Sequence, residues 1–399
     1  MRFTLTLFPF VTIAQIYIGR LLFTTLQNIF GVSKQAIFPY LGMALILFMI
    51  FPLILLLVKA LNETKLEDFH SPKNKTLNLP ITFFWIGVTL AVELTPWLAL
   101  AQLIKYPFYP LYMHFSTLWH LIQDRVIFTL ISFYTIYVAL RMTHDTFYIR
   151  VKRLSAPIEK LSPQLAGLKI AHISDSLIGA HCSLRRLEHL LKKTLRANPD
   201  IMFFTGDFVE DGVDKIEKVA QLCGKFRPRF GMYACVGERD HRIRTINVAK
   251  LFHEQKIPIW KNQNKFIRIG SDNLMVTFLN NHPKDRAGLD KLNYLMGQQP
   301  RGSVDILVTH QPSESLVDLA AERGYHLFLC GHTLGGQMVF RILGFTFCAA
   351  KLETPFFRGS GRVGKLLINV SNGLGFAQTP IRLRSPAETT IFTLQPQDH

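Results

Sequence analysis

Five residues that could bind a metal ion each follow a short apolar run: Asp175, Asp207, Glu238, His310 and His332. A mixture of carboxylates and imidazoles suits a divalent transition metal. In α/β folds, the loops at the carboxyl ends of the strands build the ligand site. If the apolar runs are strands, their spacing predicts that the five side chains converge in one cleft, where they could hold an ion.

The segment from about residue 165 onward has the composition of a soluble α/β domain. The runs LKIAHISD, DIMFFTGD, VDILVTH and HLFLCGH are apolar and predict strands, and a further strand in GMYACVGERD ends near Glu238. The segment SLRRLEHLLKKTLRANPD predicts a helix that begins after Ser183 as N-cap and stops at Asn198-Pro199. These elements would bring the strand tips to one edge of a sheet.

The order of the motifs HISD, TGD, VGERD, VTHQP and GHTLGGQ resembles the calcineurin-like metallophosphoesterases, and more closely their membrane-anchored bacterial branch. The resemblance covers about residues 165 to 395 and includes the tail INVSNGLGFAQTPIRLRSPAE. It implies a four-layer αββα sandwich with two metal ions joined by an aspartate. It also implies hydrolysis of a phosphate ester, with a histidine that protonates the leaving oxygen.

Three residues depart from the motifs of this family. Leu177 and Leu334 stand where the family has the two histidines of the first metal, and Arg239 stands where it has the catalytic histidine. Asp175 and Asp207 match the aspartates of the first metal, but two carboxylates alone are too few for ordinary coordination. The resemblance therefore implies that the first metal position has been lost.

The second metal position is better preserved. Asp207 matches the bridging aspartate, His310 and His332 match the histidines, and Glu238 replaces a metal-binding asparagine with a competent oxygen ligand. We therefore expect at most one divalent ion, Mn, Fe or Zn by resemblance, or none at all.

Arg239 has two possible roles. Its guanidinium could bind a phosphate group, because the planar fork of arginine matches phosphate oxygens. It could equally pair with Asp175 and Asp207 and supply the positive charge of the missing ion. It cannot act as a general acid near neutral pH.

Three functions are consistent with these residues. The first is a degenerate family member that binds a phosphorylated ligand or partner with weak or no hydrolysis. The second is an active single-metal phosphoesterase or pyrophosphohydrolase that acts on a membrane-associated substrate, such as a phosphorylated or nucleotide-linked lipid. The third is a membrane scaffold that only retains the fold. The two lost ligands and the lost acid favour the first.

The composition of the chain indicates a membrane protein. Hydrophobic residues make up 49% of the 399 residues, charged residues only 18%, and 45 Lys+Arg against 28 Asp+Glu leave a net charge of +17. A basic chain can bind nucleic acid, but no zinc-finger, RNP or helix-turn-helix signature accompanies this charge. The five cysteines form no C-x-x-C pair, which suits a reducing compartment. We therefore expect the lipid bilayer as a partner and no nucleic acid.

Residues 1–150 are predicted to form a transmembrane anchor of about four helices, and residues 151–399 a metallophosphoesterase-like domain. The predicted spans are 5–19, which stops at Arg20, then 37–58, 81–104, and 126–140 extended back toward Leu118. Basic residues concentrate in the loop after the second span and directly after the fourth. By the positive-inside rule, the domain should face the cytoplasm from the inner membrane.

Glu93 lies inside the third predicted span, followed by Pro96. A carboxylate at such a position is expensive and is a functional candidate by default. The alternative is a packing hydrogen bond between helices. The sequence does not identify its partner.

Overall fold

The computed structural model describes residues 2–33, 35–40, 42–44, 46, 48, 78–210, 212–243, 245–280, 288–297, 304–377 and 379–397. The chain divides into two compact units. The helical unit comprises Met1–His144, Val339–Phe347 and Gln378–Arg384, and the α/β unit comprises Asp145–Met338, Cys348–Ala377 and Ser385–His399. Two segments from late in the sequence thus belong with the N-terminal helices.

The helical unit includes α1 (Arg2–Phe30), α2 (Asn78–Leu103), α3 (Tyr109–His114) and α4 (Ser116–Phe147), and the described residues among 35–48 are helical as well. Three stretches, Pro9–Phe30, Pro80–Leu103 and Ser116–Phe147, are long and apolar enough to cross a membrane. They overlap the first, third and fourth predicted spans. The second predicted span, 37–58, lies for the most part outside the described residues.

The first helix is longer than the sequence analysis expected. It continues through Arg20 to Phe30. An arginine has a high helix propensity, and its long aliphatic stem can lie along an apolar surface while the charge reaches water. A single basic residue therefore does not end a helix, although it ends an apolar run.

The three long helices pack through small apolar clusters and leave large apolar side chains outside. One cluster joins Leu21, Leu94, Leu98, Ile127 and Ile131. The outward-facing apolar side chains include Phe10, Ile13, Ile16, Leu100, Phe133, Ile136 and Leu140. Exposed apolar surface of this extent suits contact with lipid.

The α/β unit contains six helices and two large sheets. Its helices are α5 (Leu184–Leu195), α6 (Val213–Cys223), α7 (Glu238–Arg242), α8 (Thr245–Glu254), α9 (Leu289–Gly297) and α10 (Glu314–Glu322) within the described residues. The first sheet has the order β1-β13-β2-β3-β4, with β1 (Ile149–Ile158), β2 (Lys169–Ile173), β3 (Ile201–Phe204), β4 (Met232–Ala234) and β13 (Ala387–Pro396). The second has the order β11-β12-β8-β7-β6-β5, with β5 (Gln263–Ile269), β6 (Asp272–Leu279), β7 (Val304–Thr309), β8 (Leu327–Cys330), β11 (Gly359–Val363) and β12 (Leu366–Val370).

The two sheets pack face to face, and helices cover their outer faces. One apolar cluster contains Ile170 and Phe203 of the first sheet together with Val276 and Val308 of the second. Helices α5, α6 and α8 pack on the outer face of the first sheet, and α9 and α10 on that of the second. This arrangement confirms the predicted four-layer αββα sandwich.

The central strands are parallel where the candidate site requires it. Strand β2 pairs with β3, β3 pairs with β4, and β7 pairs with β8, all in parallel register. Strands covered on both faces read as continuous apolar runs, as IMFF and LFLC do. Parallel strands bring their carboxyl ends to one edge, so the loops that follow β2, β3, β7 and β8 meet there.

Candidate metal centre

The loops at this edge hold an unusual backbone conformation. Asp175, Leu177, Asp207, His332 and Leu334 have φ values of 48°, 43°, 54°, 72° and 51°. Residues other than glycine rarely adopt positive φ, and clusters of such residues occur at active and ligand sites. The surrounding structure must therefore hold these five loop residues in place.

Asp175, Asp207 and His310 form one compact group. Their ligand atoms all lie within 4.8 Å of one another, and all three side chains are buried. The Nε2 atom of His310 lies 3.5 Å from Oδ2 of Asp207 and 3.9 Å from Oδ1 of Asp175. Within the described part of the chain, these three side chains form the one group of carboxylates and imidazoles whose ligand atoms lie close enough together to bind a single ion.

The hydrogen bonding of His310 suits metal binding. Its Nδ1 atom lies 2.6 Å from the carbonyl oxygen of Thr205, which can only accept, so Nδ1 carries the proton. In the neutral ring Nε2 then carries the lone pair, and it is buried without a hydrogen-bond partner in the described structure. A metal-binding histidine is usually oriented in this way through its other nitrogen. The donor set therefore fits a divalent transition metal.

The charges of Asp175, Asp207 and His310 shift one another's pKa values. Burial lowers the pKa of His310, but Asp207 and Asp175 outweigh it and raise this pKa to about 10. Burial raises the pKa of Asp207, but His310 and Arg239 outweigh it and lower this pKa to about 2. Burial raises the pKa of Asp175. In the absence of an ion, a proton on His310 thus balances the carboxylates, and an ion would have to displace it.

His332 lies beside this group. Its ring centroid is 5.3 Å from that of His310 at an interplanar angle of 81°, and its backbone N–H donates to Asp175. Its Nε2 atom lies 3.6 Å from Oε2 of Glu353, and the side chain is 23% exposed. The structure therefore brings His332 to the site, with its outer nitrogen directed at Glu353.

Glu238 and Arg239 separate at the start of α7. The carboxylate of Glu238 lies 3.5 Å from Nη2 of Arg242, outside the compact group, in a side chain that is 39% exposed. The Nε atom of Arg239 lies 3.7 Å from Asp207, and its Nη1 atom lies 3.7 Å from Glu210. Arg239 thus pairs with Asp207, as one of the two expected roles requires, and its second carboxylate is Glu210 where the sequence analysis expected Asp175.

Leu177 and Leu334 are both buried against the loop Gly373–Gly375. A Cβ atom on Gly373 would lie 2.9 Å from Cδ2 of Leu334 and 2.7 Å from Cβ of Asp175. A Cβ atom on Gly375 would clash with Cβ of Leu177. Only glycine allows this loop to approach Asp175, Leu177 and Leu334 so closely.

A chain of hydrogen bonds leads from the sheets to Asp175. The amide of Asn369 donates to Nδ1 of His172 at 2.7 Å, and Nε2 of His172 donates to the hydroxyl of Thr205 at 3.0 Å. Thr205 donates to Ser174 at 2.7 Å, and Ser174 donates to Asp175. Asn369, Thr205 and Ser174 are not among the site residues predicted from the sequence. Ser174 and Thr205 lie just before Asp175 and Asp207 at the ends of strands. This position is the sequence signal that could have indicated them.

Asp240 fixes the loop that carries Asp207. Its carboxylate accepts hydrogen bonds from the backbone N–H groups of Asp207 at 2.8 Å, Phe208 at 3.1 Å and Gly237 at 2.8 Å. Burial, and then the charge of Asp207, raise the pKa of Asp240 to about 7. Asp240 therefore acts on the site by positioning Asp207.

The stability of the protein should depend on pH through His172. Burial lowers the pKa of this imidazole from 6.5 to about 3. Between these pH values the unfolded chain binds a proton at His172 and the folded protein does not, so the stability that depends on neutral His172 is fully present above pH 6.5 and falls with the pH below it. We expect this group to contribute about 1.4 kcal/mol per pH unit to the slope.

The measurement is the free energy of unfolding of the full chain in detergent, from pH 6.5 down to 4.5. His172→Gln keeps an amide for Thr205 and Asn369 but removes the titration, so its slope should be shallower than that of the unmodified protein. His253→Gln changes an exposed histidine of α8 in the same way and should keep the slope. Equal slopes in all three proteins would show that His172 does not titrate in this way.

Comparison with known proteins agrees with the geometry. Residues 168–336 match the family described as Calcineurin-like phosphoesterase. A transmembrane protein with metallophosphoesterase domain from Danio rerio is 28% identical over 260 residues, which cover 62% of this chain and 57% of that protein. A metallophosphoesterase from Aquifex aeolicus (strain VF5) is 27% identical over 257 residues, which cover 63% of this chain and 94% of that protein.

Among solved structures, a protein of Thermus thermophilus aligns with a TM-score of 0.37 and 13% identity, over 52% of this chain and 90% of that one. The chain spans little more than half the length of the Danio rerio relative. The matched segment contains the strand-tip residues from Asp175 to His332, in the αββα sandwich described above. Residues 168–336 therefore match a calcineurin-like phosphoesterase domain.

Proposed function

We propose that this protein is a membrane-associated member of the calcineurin-like metallophosphoesterases that binds a phosphorylated ligand at a one-ion centre, with weak or no hydrolysis. The observation that carries the proposal is the grouping of Asp175, Asp207 and His310. This group is intact, whereas the neighbouring loop positions 177 and 334 hold buried leucines in place of imidazoles. Leucine atoms cannot ligate an ion.

Asp175, Asp207 and His310 would hold the ion, with His332 beside them. A divalent ion at such a site supplies Lewis-acid stabilisation of a phosphoryl oxygen and activates water. The Nε2 atom of His310, which faces the two buried carboxylates, supports one such position. The ligand set that a second ion would need is replaced at both histidine positions.

Arg239 would contact the phosphate group of the ligand. Its guanidinium is held between Asp207 and Glu210, and it is 23% exposed, so part of it remains available. Arginine binds phosphate through paired N–H donors and remains protonated at all ordinary pH values. His241, two residues after Arg239 in the sequence, has its Nε2 atom 3.1 Å from the side-chain amide of Asn280. Proton delivery to a leaving oxygen is therefore poorly supported.

A second candidate is an active single-metal phosphoesterase or pyrophosphohydrolase. The observation in its favour is His332, whose ring lies against that of His310 and is partly exposed. If the side chain turns away from Glu353, it would add a ligand to the group or donate a proton. The substrate would then be a phosphorylated or nucleotide-linked lipid at the membrane.

One experiment separates the two candidates. The full chain is purified in detergent, its metal content is measured, and its hydrolysis of aryl phosphomonoesters and phosphodiesters is followed with Mn, Fe or Zn. We expect at most one tightly bound ion per chain and little turnover. Two tightly bound ions, or turnover that disappears on His332→Ala, would show a working hydrolase and contradict the first proposal.

We further propose that the helical unit is a multi-pass anchor in the inner membrane, with the α/β unit in the cytoplasm. The three apolar helices and the transmembrane relative support a membrane location, and the basic residues of the short loops support the orientation. A reporter protein active only in the cytoplasm, fused after residue 399, should be active. A fusion that works only as an extracytoplasmic reporter would contradict the orientation.

A further inference from the structure

The helical unit contains a small amphipathic hairpin. Its strands are β9 (Phe340–Ile342) and β10 (Phe345–Phe347), which pair antiparallel. Leu343 and Gly344 connect them with φ values of 47° and 90°. Positive φ at both central positions is characteristic of a tight two-residue hairpin turn.

One face of the hairpin is apolar and the other is polar. Phe345 lies opposite Ile342, Phe347 lies opposite Phe340, and Thr346 lies opposite Arg341. Side chains alternate between the faces of a strand, so the four apolar residues share one face, and Thr346 and Arg341 share the other. Phe345 is 70% exposed, and Phe347 and Leu343 are about half exposed. An apolar face of this kind needs an apolar environment.

The hairpin is attached to an apolar stretch of α2. The ring of Phe340 stacks on Trp85 with centroids 6.4 Å apart and an interplanar angle of 25°. The backbone N–H of Arg341 donates to Oε1 of Glu93 at 2.8 Å. Trp85 and Glu93 both belong to the stretch Pro80–Leu103 and are about 12 Å apart along the helix. The hairpin therefore lies beside the membrane-spanning candidate over about two turns.

Glu93 is the centre of this attachment. Its carboxylate also accepts hydrogen bonds from Arg384, at 2.6 Å from Nη1 and 2.8 Å from Nη2, and from the hydroxyl of Tyr134 in α4. Both oxygens of a fully buried carboxylate are thus satisfied, as an apolar environment requires. Glu93 therefore has a packing role, which was one of the two alternatives left by the sequence. Its hydrogen bonds link the hairpin, α4 and Arg384 to α2.

We propose that the hairpin Phe340–Phe347 is a membrane-inserting element whose apolar face enters the acyl-chain boundary of the bilayer beside α2. Trp85 and Glu93, the residues of α2 that contact the hairpin, lie within an apolar span. A bilayer around that span would therefore reach the hairpin. The inward backbone groups of the two strands are paired with each other, and the outward N–H of Arg341 donates to Glu93, which lowers the cost of bringing the hairpin to the edge of the lipid. Arg341 on the polar face can extend toward the headgroups. This inference rests on the membrane association of the helical unit and is independent of the metal centre.

The test measures the depth of the hairpin in a membrane. The full chain carrying Phe345→Cys is labelled with a nitroxide and reconstituted into vesicles of phosphatidylcholine and phosphatidylglycerol. The five native cysteines are buried, and the unmodified protein measures any background labelling. Collisions of the label with oxygen, which concentrates in lipid, and with a water-soluble nickel chelate are compared by electron paramagnetic resonance. We expect a position about 5–10 Å below the phosphate level.

Two labelled variants serve as controls. Phe266→Cys replaces an exposed phenylalanine on β5 of the α/β unit and should collide mainly with nickel. Thr346→Cys lies on the opposite face of the same hairpin and should be shallower than position 345. The proposal is overturned if position 345 is as accessible to nickel as position 266. It is also overturned if position 345 is shielded from both reagents, since protein, such as a second copy of the chain, would then cover the hairpin.

Discussion

Asp207→Asn is expected to weaken the binding of a divalent ion by more than the roughly 10- to 100-fold loss that follows the removal of an outer hydrogen-bond partner. Asp207 contacts His310 and Arg239 and receives a backbone hydrogen bond, so it lies at the centre of the site. An amide keeps the shape of the side chain but removes its negative charge. The charge of Asp207 is what attracts the ion and what holds the Arg239 guanidinium.

The measurement is calorimetric titration of the full chain in detergent with Mn or Zn after removal of bound metal. Glu238→Gln is the matched control because it makes the same chemical change at the tip of the next strand. The structure pairs Glu238 with Arg242, so this variant should bind the ion nearly as the unmodified protein does. A loss in Glu238→Gln equal to that in Asp207→Asn would show that Glu238 turns inward and is a ligand, as the sequence predicts.

Replacing Leu177, Leu334 and Arg239 together by histidine is expected to raise the number of bound ions from at most one to two. The backbone at Leu177 and Leu334 is left-handed, with φ of 43° and 51°. Histidine is among the residues enriched in that conformation, so the loops already have a backbone that accepts imidazoles. Arg239→His also frees Asp207 from the guanidinium and adds an imidazole that can act as an acid.

Any gain in phosphate-ester hydrolysis by this variant would come from two sources. A second ion permits the clamp on attacking and leaving oxygens, and a general acid adds about 10² to 10⁴ in rate. Each single substitution should do little, because residues of this kind act as a unit. The readouts are metal content and aryl-phosphate hydrolysis by the full chain in detergent.

The matched control is Leu177→Asn with Leu334→Asn and Arg239→Gln. Asparagine tolerates the left-handed conformation equally well, and the three changes add polarity without an imidazole. This variant should remain at one ion or fewer and should not hydrolyse the aryl phosphates. A folded triple-histidine variant that still binds a single ion would show that positions 177 and 334 do not face the first metal position.

The architecture and the position of the candidate site follow from the amino-acid sequence alone. Short apolar runs such as IMFF and LFLC are typical of strands covered on both faces, which favours a parallel arrangement. Parallel strands end at one edge, so the juxtaposition of Asp175, Asp207 and His310 followed from the order of the motifs. The apolar stretches of the first 150 residues likewise indicated the long helices.

The directions of the side chains at the edge of the site depend on the tertiary structure. Glu238 and Arg239 are adjacent in the sequence, yet the short helix α7 directs one toward Arg242 and the other toward Asp207 and Glu210. Consecutive positions on a helix do not face the same side, so two neighbours cannot both serve one cluster in the same way. Motif order cannot predict this direction.

Long-range partners also depend on how the whole chain packs. Glu93 meets Arg384, 291 residues later in the chain, and His172 reaches Asp175 through Thr205 and Ser174. A buried polar group must find hydrogen bonds, so the sequence can indicate that a partner exists. The identity of that partner depends on which segments the packing brings together. For Glu93, that packing brings a hairpin and an arginine from the end of the chain to an apolar N-terminal helix.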